Sequence, residues 1–329
     1  MLDLVAMDFL LYWSARTLIC ILQSLPLVWV AHIGRCIGGF VYLLDARHRR
    51  KTTENLKLYI GGGKSDREIA ALARETFRRI GESFCSAVKT ASMDWKDLQA
   101  HCEIVGADRI PKAQPERKPE NCIVALGHFG NFELWARLNQ AVPGYQFATT
   151  YRGLRPAALD RLLQDMRRQS GCLFFERRSD GAALKAALAQ SGLMLGILSD
   201  QHAGDHGLHV LFFGQPCSTT AAPAVFALRY RCPLHVGICY RTAPGRWRLE
   251  VSVAISILEN GHPRSTSAIM LDVNKVFEAG ILRDPANWFW VHNRWKLKPK
   301  KPQPAQSGEG SPSAASEPAN PKANSAPIQ

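Results

Sequence analysis

An α/β fold is predicted here: a mostly parallel mixed sheet flanked by helices, led by a hydrophobic helical N-terminal part that associates with membrane. Three observations predict it. From about residue 121, short apolar runs alternate with amphipathic segments of helical period, the pattern of strands joined by crossover helices. The first fifty residues hold long apolar runs with few charges. And 329 residues, 46% of them hydrophobic, suffice to bury a large core.

The N-terminal part comes first. Thr17 to Gly34, "TLICILQSLPLVWVAHIG", contains no Asp, Glu, Lys or Arg, and its length invites comparison with the 17–25 residues of a membrane span. Gln23, Pro26 and His32 interrupt it, so interfacial insertion is favoured over a full span. The leading residues carry Asp3 and Asp8 rather than Lys or Arg, which argues against a signal peptide. Trp13 and Trp29 suit a membrane interface. A second run, "GGFVYLL", is followed at once by "RHRRK", Arg47 to Lys51, a basic flank that favours the cytoplasmic side and anionic lipid. Residues 1–50 are therefore assigned as an anchoring or interfacial segment.

The stretch "SDREIAALARETFRRIGESFCSAV" predicts an amphipathic helix. Ser65 and Glu68 form a capping-box pair, and Ile69, Leu72, Ala73, Phe77, Ile80 and Phe84 make a core stripe, with Arg78 and Arg79 on the wet side. "NCIVALG" then reads as a strand, "NFELWARLNQ" as a helix and "YQFATTYR" as a strand. "RPAALDRLLQDMRRQSG" is a helix, "CLFF" a short strand, "DGAALKAALAQSG" a helix closed by Gly192, and "LMLGILS" a buried strand. A long loop leads to the helical "TTAAPAVFALRYR", the strands "PLHVGICYRT" and "RWRLEVSVAI", and a last helix from Thr266 to Leu282. Residues 51–297 form the α/β domain. From Lys298 the chain is rich in Pro, Ser, Ala and Gly and predicts a disordered tail, 298–329.

The net charge of +13 favours an anionic partner. Nucleic acid is disfavoured, because no segment gathers Arg residues with stacking aromatics. Nine cysteines, scattered singly and mostly within apolar runs, indicate buried thiols in a reducing compartment rather than a disulfide framework. The catalytic part is thus expected to face the cytosol.

One stretch carries chemistry, "CIVALGHFGNFELW", residues 122–135. A strand ends at His128, and after a turn a helix opens with Glu133 in its first turn. Ligand sites in parallel sheets lie at the carboxyl ends of strands. A carboxylate at a helix start is stabilised by the dipole. If Glu133 accepts a hydrogen bond from one ring nitrogen, the other is held basic, which is the logic of a base and its orienter. With no Ser or Cys beside it, the pair suits direct activation of a substrate hydroxyl, and nearby helix-start N–H groups suit an oxyanion. The bland alternative is a satisfied core histidine between packed phenylalanines.

"GHFGNFELW" resembles the His-x4-Asp/Glu motif of the lysophospholipid and glycerolipid acyltransferase superfamily. Within it the chain is similar to the branch of lipid A biosynthesis lauroyl and myristoyl acyltransferases and mycobacterial phosphatidylinositol mannoside acyltransferases. "TTYRGLRPAALDRLL", "GILSDQHAGDHGLHVLFFGQPCSTTAAPAVFALR" and "DPANWFWVHNRWK" resemble further blocks in the same order, so the resemblance covers residues 15 to 297. It implies that His128 is the general base and Glu133 its partner. Arg152 and Asn131 are placed with the substrate-binding residues, Arg152 neutralising charge at the thioester or an acceptor phosphate. Asp200 and Gln201 shape the site. Trp288, His292 and Arg294 match the closing block, with a structural plug as the equal alternative.

The implied reaction moves a fatty acyl chain from acyl carrier protein or CoA to a hydroxyl of a lipid A precursor. It needs no cofactor and no metal, and runs at the cytoplasmic face of the inner membrane, against an anionic membrane surface. A mannosylated glycolipid or aminolipid acceptor is the nearest rival. A metal-dependent hydrolase built on Asp200, His202, Asp205, His206 and His209, and a non-catalytic membrane binder, are the others. Gly204 and Gly207 prevent a regular helix there, so the histidines do not share a face.

Overall fold

The structure, a computed structural model, describes residues 2–112 and 117–296, with side chains from residue 8 onward. The tail expected to be disordered lies outside the described residues. The helices α1 (Leu2–Ser24), α2 (Leu27–Leu44), α3 (Ala46–Ile60) and α4 (Asp66–Ala91) come first, then a short α5 (Trp95–Leu98) and β1 (Cys102–Val105). Next come β2 (Cys122–Leu126), a 3-10 helix (Phe132–Gln140), β3 (Gln146–Tyr151), α6 (Ala157–Arg168), β4 (Leu173–Glu176), α7 (Gly181–Leu188) and β5 (Leu193–Leu198). β6 (Leu208–Phe212), β7 (Gln215–Thr219), α8 (Ala222–Tyr230), β8 (Leu234–Ala243), β9 (Arg246–Val251), β10 (Leu258–Glu259), β11 (His262–Pro263) and α9 (Thr266–Arg283) complete the order.

Pro26, which lacks an N–H and fixes its own φ, splits the uncharged run into α1 and α2. Asp45 caps α3 by accepting from the His48 backbone N–H, and Ser65 and Glu68 close the expected capping box on α4. α2 does not stand apart from the domain. It lies along α4 on a seam of glycines, where a Cβ on Gly34 would stand 2.5 Å from the Gly81 carbonyl oxygen. Glu82 of α4, buried in this seam, binds Arg35 of α2 at 3.2 Å and Arg241 of β8 at 2.7 Å, so three elements share one carboxylate. The outward faces of α1 and α2 leave Phe9, Leu10, Trp13, Trp29, Phe40 and Leu44 exposed. Among the described residues α2 is the one helix long and apolar enough to cross a membrane.

Seven strands form a mixed sheet in the order β1-β9-β8-β2-β5-β3-β4. All neighbours are parallel except the β8–β9 hairpin. Alternate residues serve two cores. Ile123, Ala125, Leu195, Ile197 and Val236 face α8 and α9, while Cys122, Val124, Leu126, Phe147 and Met194 face the 3-10 helix.

Four expectations are corrected. The segment Phe132–Gln140 is a 3-10 rather than an α-helix. The long loop after β5 contains the β6–β7 hairpin, turned at Phe213 and Gly214, which both have positive φ as a type I′ turn requires. Phe84 is 55% exposed instead of core. Arg79 is drawn inward by a bidentate pair with Asp284 at 2.7 and 2.8 Å and by Glu75 at 3.0 Å.

Candidate active site

The site grows out of the pairing of two central strands. β2 and β5 are parallel with Leu126 opposite Leu198, and the ladder continues as the Ser199 N–H donates to the Leu126 carbonyl at 2.8 Å. Each chain runs two residues further, to His128 and Asp200, at the carboxyl edge where the strands open. There the His128 Nδ1–H donates to Asp200 Oδ1 at 2.8 Å and the His128 backbone N–H to Oδ2 at 2.7 Å. Trp288 Nε1–H donates to the same Oδ2 at 2.7 Å. Asp200 is fully buried. Burial is the largest single influence and pushes its carboxyl up, but the charge and hydrogen bonds of His128, with the Trp288 indole, outweigh it and bring the pKa to about 2.

An ionised carboxylate only accepts, so the proton of neutral His128 sits on Nδ1 and its Nε2 carries the free lone pair. The ring is fixed edge-on to Phe132 at 4.8 Å and tilted against Phe289 at 5.7 Å. Behind it Gly130 takes φ +47°, and a Cβ there would meet the Cys239 carbonyl oxygen at 2.7 Å, so only glycine lets the chain turn back so closely.

The expected pairing of His128 with Glu133 is corrected. Glu133 follows the turn, on the 3-10 helix, and its carboxylate goes to α6, where Arg167 donates from Nη2 at 2.5 Å and from Nε at 3.2 Å. Asp200, expected to shape the site and contact substrate, stands level with His128 just past the neighbouring strand, and it is Asp200 that bonds the His128 Nδ1. Glu133 still lines the same cavity as His128. Arg167 went unnoticed in the sequence, where it reads as one of the basic residues closing a helix. Its guanidinium lies over the rings of Phe174, at 5.0 Å, and Tyr151, at 5.9 Å, and Nη1 is buried without a partner.

The other predicted residues converge too. Arg152 is exposed just beyond β3, and Gln201 is half-buried beside Asp200; both line the cavity. Asn131 is buried, donates from Nδ2 to Thr90 Oγ1 at 3.2 Å and leaves Oδ1 unpartnered. The closing block divides its work. Trp288 holds Asp200. Arg294, fully buried, donates to the Ser218 carbonyl at 3.1 Å, Thr219 Oγ1 at 3.0 Å, Asn274 Oδ1 at 3.3 Å and the Gln201 carbonyl. His292 lines the cavity. In the His-rich loop, His202 Nδ1 accepts from the Gly204 N–H at 3.0 Å, while His206 and His209 are exposed. Among the described residues no three His, Cys, Asp or Glu side chains come within reach of one ion.

The cavity has a volume of about 950 Å³. Its floor is the sheet face bearing Val124, Leu126, Phe147, Met194 and Leu198, and its walls come from α4, the 3-10 helix and α6. His128 lines it, together with Arg152, Arg167 and Arg177. The arrangement offers an imidazole held by a buried carboxylate in a largely apolar space bordered by cations. A protein-family model described as bacterial lipid A biosynthesis acyltransferase matches residues 4–297. No curated protein gives a significant match.

Proposed function

This chain belongs to the bacterial lipid A biosynthesis acyltransferase family, and from that premise we propose that it transfers a fatty acyl chain from a thioester to a hydroxyl of a lipid A precursor, with His128 as general base and Asp200 as its orienter. The carrying observation is that His128, held through Nδ1 by buried Asp200, lines a largely apolar cavity. From His128 back to Val124 the strand face extends about 13 Å at ~3.3 Å per residue, room for much of a fatty chain laid along the sheet.

In this reading the acceptor hydroxyl gives its proton to His128 Nε2 as its oxygen attacks the thioester carbonyl. Buried Asp200 stabilises the imidazolium that results. The intermediate collapses, the C–S bond breaks, and the departing thiolate recovers the proton from Nε2. No acyl-enzyme is formed. Arg152, and Arg167 held by Glu133, bind the anionic parts of donor and acceptor. Asn131 and Gln201 line the same cavity and complete the substrate contacts. The donor is acyl carrier protein or CoA, both anionic and suited to a chain of charge +13, and no cofactor is required. The acceptor hydroxyl is one carried by an already attached 3-hydroxyacyl chain. The exposed apolar faces of α1 and α2, with Arg47 to Lys51 beside them, support a place on the cytoplasmic face of the inner membrane.

The test is acyl transfer by the purified protein from acyl carrier protein or CoA thioesters to a lipid A precursor, followed by product mass. His128→Ala is expected to lose about 10²–10⁴ in kcat. Near-normal turnover of that variant would remove His128 from the chemistry.

A further inference from the structure

Beside the dyad, a half-buried histidine, His292, lines the cavity, and its Nδ1 is buried with no hydrogen-bond partner. The backbone that carries the ring is held in place. Asn55 of α3 donates from Nδ2 to the carbonyls of Trp290, at 2.9 Å, and His292, at 3.2 Å. Two residues on, Arg294 is fully buried on its acceptors, and four residues back Trp288 is tied to Asp200. The backbone of His292 is thus held by Asn55 and lies between two anchored residues, one of which, Trp288, also binds Asp200.

Its tautomer follows from burial. A neutral imidazole carries one proton, and a buried N–H without an acceptor is rarer than an underused acceptor. With Nδ1 buried and unpartnered, the proton belongs on Nε2, the nitrogen not enclosed in this way. The groups that act on the ring are Asp200, which draws protons to it, and His128, Arg294 and His202, which repel them. Burial dominates and pushes its pKa down to about 4, so the ring stays neutral at neutral pH.

We propose that His292 is a second catalytic histidine, whose Nε2–H donates a hydrogen bond to the oxygen of the tetrahedral intermediate formed at the thioester carbonyl. The inference rests on the acyl-transfer reading above. The two imidazoles then hold opposite tautomers and opposite roles. The acceptor O–H proton goes to His128 Nε2, the new C–O bond forms, and the carbonyl π pair moves onto oxygen, where His292 Nε2–H meets it. Collapse restores the C=O bond, the C–S bond breaks with its pair on sulfur, and the thiolate takes the proton from His128. His292 keeps its own proton throughout. An oxygen that carries charge only in the intermediate is where a fixed donor contributes most.

The test is steady-state kinetics on the full-length protein with an acyl thioester and lipid A precursor, comparing wild type, His292→Phe, His292→Gln and His292→Asn. Loss of one such donor is expected to lower kcat about 10²-fold in His292→Phe with KM changed little. His292→Gln, whose amide nitrogen reaches the Nε2 position, is expected to recover about tenfold or more of that loss, and His292→Asn, whose amide nitrogen sits nearer Nδ1, to recover none. Wild-type kcat in His292→Phe overturns the inference, as does equal activity of the Gln and Asn variants. If His292→Phe does not fold, the Gln-against-Asn comparison decides alone. If wild type itself transfers no acyl group, the proposed function falls and this assignment with it; if only the His292 variants behave as wild type, the proposed function stands without it.

Discussion

Asp200 is the residue on which the site turns, because one buried carboxylate fixes the His128 ring, its tautomer and the Trp288 indole. Asp200→Asn keeps the shape but can present an N–H to Nδ1, which forces the His128 proton onto Nε2 and removes the base. A loss of about 10³–10⁴ in kcat is expected, the size seen for the analogous change in serine-protease triads. Acid stability reports the same contacts. The folded pKa of Asp200 lies below its ordinary 3.8, so its contribution is present above that value and is lost as pH falls toward about 2. For His292 the folded pKa of about 4 lies below its ordinary 6.5; the unfolded chain binds the extra proton, so stability falls between pH 6.5 and 4. Unfolding free energies across pH 7 to 2 are expected to lose the upper part of this fall in His292→Phe and the lower part in Asp200→Asn; unchanged slopes would contradict both assignments. Glu133 and Arg167 form a separate pair, so their single variants are expected to be non-additive, with a coupling of about 0.5–3 kcal/mol in a double-mutant cycle on kcat/KM. His128 was legible in the sequence because a strand, a turn and a helix start stand next to one another in the chain. Its partner was not, because Asp200 becomes a neighbour only through the order of strands.

At the scale of elements, the strands and crossover helices were legible from period and punctuation: Gly192 ends the segment of α7 at φ +87°, and β5 follows at once. The β6–β7 hairpin was hidden because its turn pairs a phenylalanine, Phe213, with Gly214, where Asn or Asp is the usual signal. Phe84 fits the helical stripe of α4 by period yet lines the cavity wall, since a stripe cannot tell a core from a ligand space. The contact of α2 with α4 also went unread, as Gly34, Gly38 and Gly81 give no hydrophobic signal. Gly34→Leu is expected to force the helices apart and destabilise the protein by about 3 kcal/mol, measurable as a lowered unfolding midpoint. An unchanged midpoint would mean the seam is looser than the backbone contacts require.

For the molecule as a whole, charge and grease act at the same end of the chain. The apolar faces of α1 and α2 stand beside the basic start of α3, so binding to anionic vesicles is expected to exceed binding to neutral ones. The excess should shrink as salt reduces the Debye length from about 10 Å at 0.1 M to about 3 Å at 1 M. Arg47, Arg50 and Lys51 changed together to Gln should lower it further; equal binding to both vesicle types would confine the anchor to its apolar face. The central proposal is that His128, oriented by Asp200, serves as the base when a lipid A precursor is acylated. Mass spectrometry of the membrane glycolipids tests this most directly, in cells lacking the gene and complemented with wild type or His128→Ala. One lipid A species lacking a single acyl mass, restored by wild type and not by the variant, is the predicted result; restoration by His128→Ala, or an unchanged lipid A while another lipid loses its acyl group, would contradict it.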